Sequence, residues 1–398
     1  MELSLDRVYQ AAHVLKPVVK KTELVHATRI PSDCDLYLKA ENLQNTGSFK
    51  IRGAYFKIST LTDEEKKRGV VACSAGNHAQ GVALAATRAG AQSTIFLPAV
   101  APISKVEATR GYGANVRLID GVYDDAYAAA VKFQEETGAV FIHPFDDPDV
   151  IAGQGTIGLE IMDQLADADA VVVPIGGGGL ISGISFVVKK LNPACKVYGV
   201  QAEGAPSMYR AFKDKKLEAL DSVNTFADGI AVKCPGDVTF AMCSKYVDDI
   251  VTVSDDETAA AILTLMEKEK VVSEGAGAVS VAAVLFHKLP VEGKKVVCVV
   301  SGGNIDVNIL SRVINRGLIK TGRKAELTLE LLDKPGQLSE VADIISETGG
   351  NVTKVDHNNS ATDTAINGCY LTVQIETRDF EHIELIRSKL IEKGFKLV

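Results

Sequence analysis

A chain of 398 residues, 46% of them hydrophobic, is long enough for two or three domains that each bury a core. Its formal net charge is −8 and it has no block of basic residues, which argues against nucleic acid as a partner. Residues 1–6 carry acids where a secretion signal would carry lysines, so we expect a cytoplasmic protein. The seven cysteines are scattered and form no C-x-x-C motif, which predicts reduced thiols and no metal site.

The first three quarters of the chain alternate between helical and strand patterns. An amphipathic helix is predicted at 4–15, a strand at 35–43 and a helical run at 54–61. After these, apolar strands, glycine-rich turns and helices repeat, which predicts doubly wound parallel sheets of the α/β class. The predicted helices include 78–89, 123–136, 180–191 and 257–268, and the predicted strands include 93–97, 115–119, 140–143, 197–200 and 250–253.

One uncharged run, residues 170–188, is nominally long enough to span a bilayer. Pro174, four consecutive glycines and two serines divide this run into a strand, a loop and a helix. We therefore expect no membrane segment in the chain.

The pattern changes after about residue 324. A strand (325–332), a helix (337–347), two strands (351–356 and 368–376), a helix (380–393) and a short last strand are predicted. This β-α-β-β-α-β order is that of a ferredoxin-like fold, so residues 325–398 are predicted to form a separate domain.

Three apolar strands run into polar or glycine-rich turns. The turns are Ser74–His78 after Val70–Cys73, Gly176–Gly179 after Val171–Ile175, and Ser301–Asn304 after Val296–Val300. In open α/β sheets, ligands bind outside the carboxyl ends of the strands. Four consecutive glycines leave backbone N–H groups bare at the start of a helix, where they suit a phosphate. Neither the G-x-G-x-x-G pattern of dinucleotide sites nor a P-loop fits here.

A lysine, Lys50, directly follows Phe49 in a Gly-Ser turn. A lysine that forms a Schiff base must be held and partly desolvated to be nucleophilic near neutral pH. An isolated lysine is more often on a solvated surface. Together with a phosphate cradle and two polar turns, however, Lys50 indicates a site for one phosphorylated carbonyl cofactor.

These segments resemble the fold-type II pyridoxal-phosphate (PLP) enzymes, whose fold is like that of the tryptophan synthase β subunit, and among them the threonine ammonia-lyases. The lysine turn, residues 74–78, the tetraglycine, 273–277 and 301–304 match that family in order and spacing. The resemblance covers about residues 1–320. It implies a PLP-dependent catalytic domain of two subdomains, the smaller at about 48–150, with PLP bound between them.

The resemblance implies roles for individual residues. Lys50 would form the Schiff base with PLP and move the Cα proton, and Ser74, Ala75 and Glu274 are further catalytic candidates. The other cofactor-binding candidates are Phe49, Asn77, Gly176, Gly177, Gly178, Gly179, Leu180, Gly229, Glu274 and Ser301. The loop that would bind the substrate carboxylate consists of Ser74, Ala75, Gly76, Asn77 and His78.

Plainer interpretations stay open for several of these residues. Phe49 could be ordinary core, His78 a helix-start histidine without chemistry, and Glu274 a solvated side chain. The glycines could serve only close packing, and Gly229 could belong to a simple turn.

The reaction implied by the resemblance is the elimination of water from L-threonine, and from L-serine, to give 2-oxobutanoate or pyruvate and ammonia. Ser301 would meet the pyridine nitrogen, where a neutral hydroxyl makes a weaker electron sink than a carboxylate. The closest alternative is a serine racemase, because eukaryotic racemases of this family carry a serine at the position that resembles Ala75. An alternative from another class is an amino-acid-sensing binding protein that uses residues 325–398 alone.

The turn at residues 333–338, with 349–351, resembles the ACT domain, a small amino-acid-binding regulatory module. The candidate effector-binding residues are Gly336, Gln337, Leu338 and Asn351. Because such modules usually pair across subunits, a homo-oligomer, either a dimer or a tetramer, is expected. The identity of the effector and a biosynthetic or catabolic role are left open.

Overall fold

The strands predicted from continuous apolar runs, such as Val70–Cys73 and Ala170–Pro174, are buried along their whole length. Burial on both faces is typical of parallel sheets that are covered by helices. The structure is a computed structural model that describes residues 3–361 and 363–398. The chain divides into two units, one up to Asp306 and the other from Val307 to Val398.

The first unit contains two sheets. Its strands are β1 (Leu24–His26), β2 (Asp35–Ala40), β3 (Val70–Cys73), β4 (Ser93–Pro98), β5 (Asn115–Ile119), β6 (Val140–Phe141), β7 (Ala170–Pro174), β8 (Lys196–Ala202), β9 (Asp249–Val253) and β10 (Lys295–Val300). The larger sheet has the order β1-β2-β10-β7-β8-β9, and all its pairs are parallel except β1 with β2. The smaller sheet has the order β5-β4-β3-β6 and is parallel throughout. The predicted α/β class with two parallel sheets is confirmed.

The helices of the first unit connect these strands. They are α1 (Leu5–Leu15), α2 (Lys50–Ser59), α3 (Asp63–Arg68), α4 (Asn77–Arg88), α5 (Ile103–Gly111), α6 (Tyr123–Thr137), α7 (Pro148–Gln164), α8 (Gly179–Leu191), α9 (Ser207–Asp214), α10 (Asp237–Tyr246), α11 (Asp255–Thr264) and α12 (Gly275–Leu285). A π turn, Leu265–Glu269, follows α11, and 3₁₀ turns lie at Glu41–Leu43, Asn45–Gly47 and Asp228–Ile230.

Most predicted elements of the first unit agree with the structure to within three residues, and β5 agrees at both ends. The predicted start of helix α2 at residue 54 was wrong, since α2 already begins at Lys50. The predicted strand 35–43 was too long, because a 3₁₀ turn replaces it after Ala40.

Helices α2 and α7 cross at two glycines. A Cβ on Gly153 would lie 2.6 Å from the Cα of Gly53, so neither position can carry a side chain without separating the helices. This contact fixes α2, whose first residue is Lys50, against the rest of the unit.

The second unit contains helix α13 (Val307–Lys320) and then β11 (Lys324–Leu332), α14 (Gln337–Glu347), β12 (Asn351–Asn358), β13 (Gly368–Glu376), α15 (Phe380–Glu392) and β14 (Lys396–Leu397). Its sheet has the order β12-β13-β11-β14 and is antiparallel. Every second residue of β13 is buried, as expected for a sheet with one covered face. The predicted ferredoxin-like order is confirmed, and its assignment as an ACT module stays a prediction.

No helix in the described residues has both the length and the apolar character that a membrane span requires.

Candidate active site

The turn before Lys50 is tied to the turn after strand β10. The Phe49 N–H donates to the Ser301 carbonyl at 3.2 Å, and the N–H of Gly303 donates to the Gly47 carbonyl at 2.9 Å. Gly47 has a φ of +70°, and a Cβ there would lie 2.3 Å from the Oδ1 atom of Asn304. Glycine therefore suits this position best, and two backbone hydrogen bonds tie the lysine turn to the turn after β10.

Lys50 lies at the start of α2 in a half-buried position. Its Nζ donates to the Pro144 carbonyl at 2.9 Å and lies 5.2 Å from the centre of the Phe49 ring. Burial lowers the pKa of Lys50 to about 8, and the attraction of the Glu274 carboxylate opposes this effect only in part. A much larger fraction of the amine is therefore neutral near physiological pH than for an ordinary lysine, as a nucleophile or base requires.

Asn77, Glu274 and Asn304 form a hydrogen-bonded set that joins three separate turns. The Asn77 Nδ2 donates to Glu274 Oε1 at 2.6 Å, and the Asn304 Nδ2 donates to Asn77 Oδ1 at 2.8 Å. Asn304 also donates to the Thr46 carbonyl, next to the lysine turn, at 2.7 Å. The Asn77 amide is therefore fixed in orientation by both of its polar atoms.

Glu274 is only 4% exposed, which excludes the interpretation as a solvated glutamate. Burial raises its pKa to about 7, and the negative charge of Asp228 adds to this effect. The hydrogen bond from Asn77 and the charges of Lys105 and Lys50 act in the opposite direction. Glu274 can therefore hold a proton close to neutral pH.

His78 is buried, and its Nε2 lies 2.8 Å from the Ile142 carbonyl, which accepts its N–H. Burial and the nearby Lys50 lower the pKa of His78 to about 3, so the ring is neutral. This geometry gives the ring a packing role, in line with the plainer interpretation, and a substrate contact stays a prediction.

The turn between β3 and α4 is partly open. Ser74, Ala75 and Gly76 are half-buried, and the Gly76 N–H donates to the Ser74 Oγ at 3.2 Å. A Cβ on Gly76 would meet nothing within 4 Å, so the turn borders free space next to the first residues of helix α4. A carboxylate is attracted to such a helix start.

The tetraglycine turn has no room for side chains at its centre. A Cβ on Gly177 would lie 2.3 Å from the Phe145 ring, and one on Gly179 would lie 2.8 Å from the Phe145 carbonyl oxygen. Gly178 has a φ of +99°, and a Cβ there would lie 2.8 Å from the Cβ of Thr239. The backbone N–H groups at the start of α8 are therefore bare, which is the arrangement that binds a phosphate.

The remaining candidates lie on the same turns. Ser301 is buried, and its Oγ donates to the Ala276 carbonyl at 3.3 Å. A Cβ on Gly229 would lie 2.9 Å from the Cβ of Ala276 and 3.4 Å from Glu274 Oε1, so Gly229 faces the carboxyl group. Gly176 packs against Ile230, which links the two glycine turns.

The structure also shows site residues that sequence reasoning missed. Pro144 accepts the hydrogen bond of Lys50, and the adjacent Phe145 packs on the tetraglycine, so this segment joins the lysine to the phosphate cradle. Thr239 donates to the Gly177 carbonyl at 2.6 Å, and Lys105 pairs with Asp228. Residues 143–146 follow the carboxyl end of β6, a position that could have indicated them; Thr239 had no such signal.

The candidate effector residues lie in the second unit and are mostly exposed. Gly336 has a φ of +94° and precedes helix α14. Leu338 is exposed and Gln337 is half-buried, and the Asn351 Nδ2 donates to Glu376 Oε2 at 2.8 Å. The structure does not bring these residues together into a buried site.

Comparison with known proteins agrees with this geometry. Residues 15–302 match the family model described as pyridoxal-phosphate dependent enzyme. An L-threonine ammonia-lyase of Thermotoga maritima is 53% identical over 397 residues, which are 99% of each chain. The solved structure of processed threonine deaminase isoform 2 from Solanum lycopersicum superposes with a TM-score of 0.75 at 38% identity, over 79% of this chain and 90% of that chain.

The maize serine racemase structure superposes with a TM-score of 0.74 at 36% identity, over 80% of this chain and 99% of the racemase. The racemase shares fewer identical residues with this chain than the Thermotoga ammonia-lyase does. The match to the ammonia-lyase also covers 99% of each chain. The chain therefore belongs to the pyridoxal-phosphate-dependent enzyme family, and within it to the threonine ammonia-lyases.

Proposed function

We propose that this enzyme converts L-threonine into 2-oxobutanoate and ammonia, and L-serine into pyruvate and ammonia. The observation that carries the proposal is the position of Lys50. Its amine, with a pKa of about 8, donates to the Pro144 carbonyl, and the adjacent Phe145 packs against the bare phosphate-type cradle.

The residues present fit PLP. Gly177, Gly178 and Gly179 would hold its phosphate at the start of α8, Lys50 would hold its aldehyde carbon, and Ser301 would face its ring nitrogen. When bound, PLP activates the amino acid covalently and delocalises the electrons released when the Cα–H bond breaks. The chain's own residues supply the binding, the orientation and the proton transfers.

The proposed proton acceptor is the Lys50 amine. About half of it is neutral at pH 8 and it forms no ion pair among the described residues, so the neutral form can take up the Cα proton. Residues 74–77 would orient the substrate carboxylate at the start of α4. Glu274 can keep its proton near neutral pH and would hold the Asn77 amide against the cofactor.

Product analysis tests the proposed reaction. The PLP-loaded enzyme is incubated with L-threonine and, separately, with L-serine, and the keto acids and ammonia are quantified. We expect equal amounts of keto acid and ammonia from both. If neither substrate yields a keto acid, the proposed function is wrong.

A serine racemase is the second candidate function, because a racemase shares this fold at 36% identity. Racemisation needs an acid–base group on the face opposite Lys50, and the methyl group of Ala75 cannot donate a proton. We predict that Ala75→Ser raises the ratio of D-serine to pyruvate, with Ala75→Gly as the control that adds no hydroxyl. Chiral analysis of the remaining serine measures it. An unchanged ratio in Ala75→Ser would show that Ala75 does not block inversion.

The second unit is proposed to be an ACT module that binds an amino-acid effector. Two observations support this: the matched family model ends at residue 302, and the unit that follows has its own core and a ferredoxin-like order. A typical coupling of 1–3 kcal/mol would change the apparent affinity for threonine by roughly 5- to 150-fold.

A shortened chain that lacks β11 and everything after it tests whether the second unit mediates the response to an amino-acid effector. A chain that ends at Arg323 should keep PLP and activity but lose its response to L-isoleucine, L-valine or another effector in threonine saturation curves. The full-length enzyme in the same buffer is the control. If the shortened enzyme responds to the same effector as strongly, the regulatory site lies elsewhere.

We further propose a homo-oligomer, a dimer or tetramer, because ACT modules usually pair across subunits. Light scattering coupled to size-exclusion chromatography measures the assembly, and a monomer at working concentration would contradict the proposal. The cytoplasmic location stays a prediction from the sequence.

A further inference from the structure

Three side chains with different metal-binding atoms meet at one end of the sheet in the second unit. Asp333 directly follows β11, His357 lies on β12 and Cys369 lies on β13. One carboxylate oxygen, one imidazole nitrogen and the thiol sulfur all lie within 4.8 Å of one another. Among the described residues, this is the one group of three His, Cys, Asp or Glu side chains whose ligand atoms lie this close together. We call it the Asp-His-Cys cluster.

The strand register explains why these residues converge. Strand β13 lies between β12 and β11, and Cys369 pairs with Leu331, two positions before Asp333. His357 pairs with Leu371, two positions after Cys369. Since side chains alternate across a sheet with a period of two, all three residues belong to the same face. The N–H of Asp333 donates to the Asn367 carbonyl at 2.8 Å, which fixes the start of the turn.

The distances suit a tetrahedral metal ion. Bonds of about 2.0–2.3 Å to nitrogen, oxygen and sulfur place neighbouring ligand atoms about 3.3–3.8 Å apart. The His357 Nε2 already lies 3.7 Å from the Asp333 Oδ1. Both of these side chains are exposed and can rotate, whereas the Cys369 residue is 1% exposed and forms the floor of the cluster. Small rotations of the two exposed side chains complete the geometry.

A simple surface ion pair explains the cluster less well. At 3.7 Å, His357 and Asp333 are too far apart for a hydrogen bond, and an ion pair does not require a thiol beneath it. The second Asp333 oxygen lies 3.5 Å from the Asn359 Nδ2, which can orient the carboxylate as outer partners do at metal sites.

We propose that Asp333, His357 and Cys369 bind a divalent transition-metal ion of the zinc class. Zinc accepts this mixture of carboxylate, imidazole and thiolate ligands, and three protein ligands leave the fourth position for water or a small ligand. Because Asp333 begins the turn 333–338, the ion fastens this turn to strands β12 and β13. The proposal stands on the cluster alone and does not depend on the proposed reaction.

Zinc binding to the full-length, PLP-loaded enzyme tests the cluster. After chelator treatment, Zn²⁺ is titrated by equilibrium dialysis into the parent enzyme and into Asp333→Asn, His357→Gln and Cys369→Ser. The matched control is His287→Gln, since His287 is an exposed histidine that faces Asp33 at 3.2 Å outside the cluster. Loss of one ligand should weaken the tightest site about 100-fold or more, because even outer partners of a metal cost 10- to 100-fold. The control should bind Zn²⁺ as the parent does.

Cobalt provides a second measurement. With Co²⁺ in place of Zn²⁺, the parent and His287→Gln should show a thiolate-to-cobalt absorption band in difference spectra, and Cys369→Ser should not. If Asp333→Asn and His357→Gln bind zinc as tightly as the parent, the cluster is not a metal site. The same conclusion follows if only Cys369→Ser loses binding, because a lone thiol then accounts for it. If Cys369→Ser does not fold, the two variants at exposed positions decide.

Discussion

The first unit contains two sets of cations that are close in sequence and differ in their partners: the buried pair Lys39 and Arg52, and the half-buried Lys50. The side chains of Lys39 and Arg52 are fully buried and lie in a network with two carboxylates. Lys39 pairs with Glu160 at 2.6 Å, and Arg52 bonds to Glu41 at 2.8 Å and to Glu160 at 2.6 Å. In the part of the chain that the structure describes, Lys50 has only the Pro144 carbonyl as a hydrogen-bond acceptor.

This difference separates a structural cation from a reactive one. Burial lowers the pKa of Lys39, but the carboxylates of Glu160 and Glu41 oppose it at close range, and the same two carboxylates raise the pKa of Arg52. At Lys50 only Glu274 opposes burial, and the pKa falls to about 8. Close carboxylates therefore oppose the effect of burial on Lys39 and outweigh it on Arg52, whereas the Lys50 amine has no such ion pair and its neutral, reactive form becomes accessible near pH 8.

The largest expected effect comes from removing the reactive amine. Lys50→Ala should lower the rate of 2-oxobutanoate formation by about 10³-fold or more, since nucleophile and base are lost together. It should also abolish the covalent PLP adduct that borohydride reduction traps, which mass spectrometry measures.

Lys57→Met is the matched control for this change. Lys57 lies on the same helix and pairs with Asp147 at 2.7 Å, outside the pocket. It should keep both the adduct and the activity. A reducible adduct that persists in Lys50→Ala would contradict the assignment of Lys50.

The second prediction concerns the buried ion-pair network of Lys39 and Arg52 with Glu41 and Glu160. Glu41→Gln should lower the free energy of unfolding by about 3 kcal/mol, because breaking a buried ion pair leaves an uncompensated charge. Urea unfolding of the cofactor-free chain measures the loss. Lys50→Met should stay within about 1 kcal/mol of the parent, because this amine has no carboxylate partner to lose. If Glu41→Gln and Lys50→Met lowered the free energy of unfolding equally, the ion-pair network and Lys50 would not differ in their contribution to stability.

The sequence predicted the reactive lysine, Lys50, but not the buried ion-pair network of Lys39 and Arg52. Lys50 and the glycine turns follow from local patterns and from the resemblance, and in the structure the segment Pro144–Phe145 contacts both. The start of α2 was missed because residues 50–53 have no apolar periodicity, and the helix is fixed there by the close contact between Gly53 and Gly153. The pairing of Arg52 with Glu160 joins residues far apart in the chain, so no local pattern could show it.

The same reason explains the other omissions. Pro144 reaches Lys50 because it precedes α7, which crosses α2 at Gly153 and Gly53. The Asp-His-Cys cluster forms because β13 lies between β11 and β12. Strand order is a property of the folded sheet. Residues that meet only through strand order carry no spacing signal that a single sequence can reveal.

The smallest expected effect concerns Glu274, the carboxyl group that faces the reactive group. The negative charge of the Glu274 carboxylate raises the pKa of Lys50 and so opposes the effect of burial. The pKa of Glu274 is itself raised to about 7, from 4.5 in the unfolded chain, so this charge is lost as the pH falls below about 7. Between these two values the folded state binds more protons than the unfolded state, so this group's contribution to stability is lost as the pH rises.

For the cofactor-free chain, these two pKa values predict that Glu274 lowers the free energy of unfolding by about 2 kcal/mol between pH 5 and pH 7. Other carboxylates, such as Glu41 with its lowered pKa, change stability in the opposite direction. The difference between the parent and Glu274→Gln therefore isolates the effect, because glutamine keeps the shape but cannot titrate. Urea unfolding at the two pH values should show the parent losing about 2 kcal/mol relative to Glu274→Gln. A difference that is flat or of opposite sign would mean that the pKa of Glu274 is not raised in the folded chain, and that its carboxylate keeps the charge that opposes burial at Lys50 even well below pH 7.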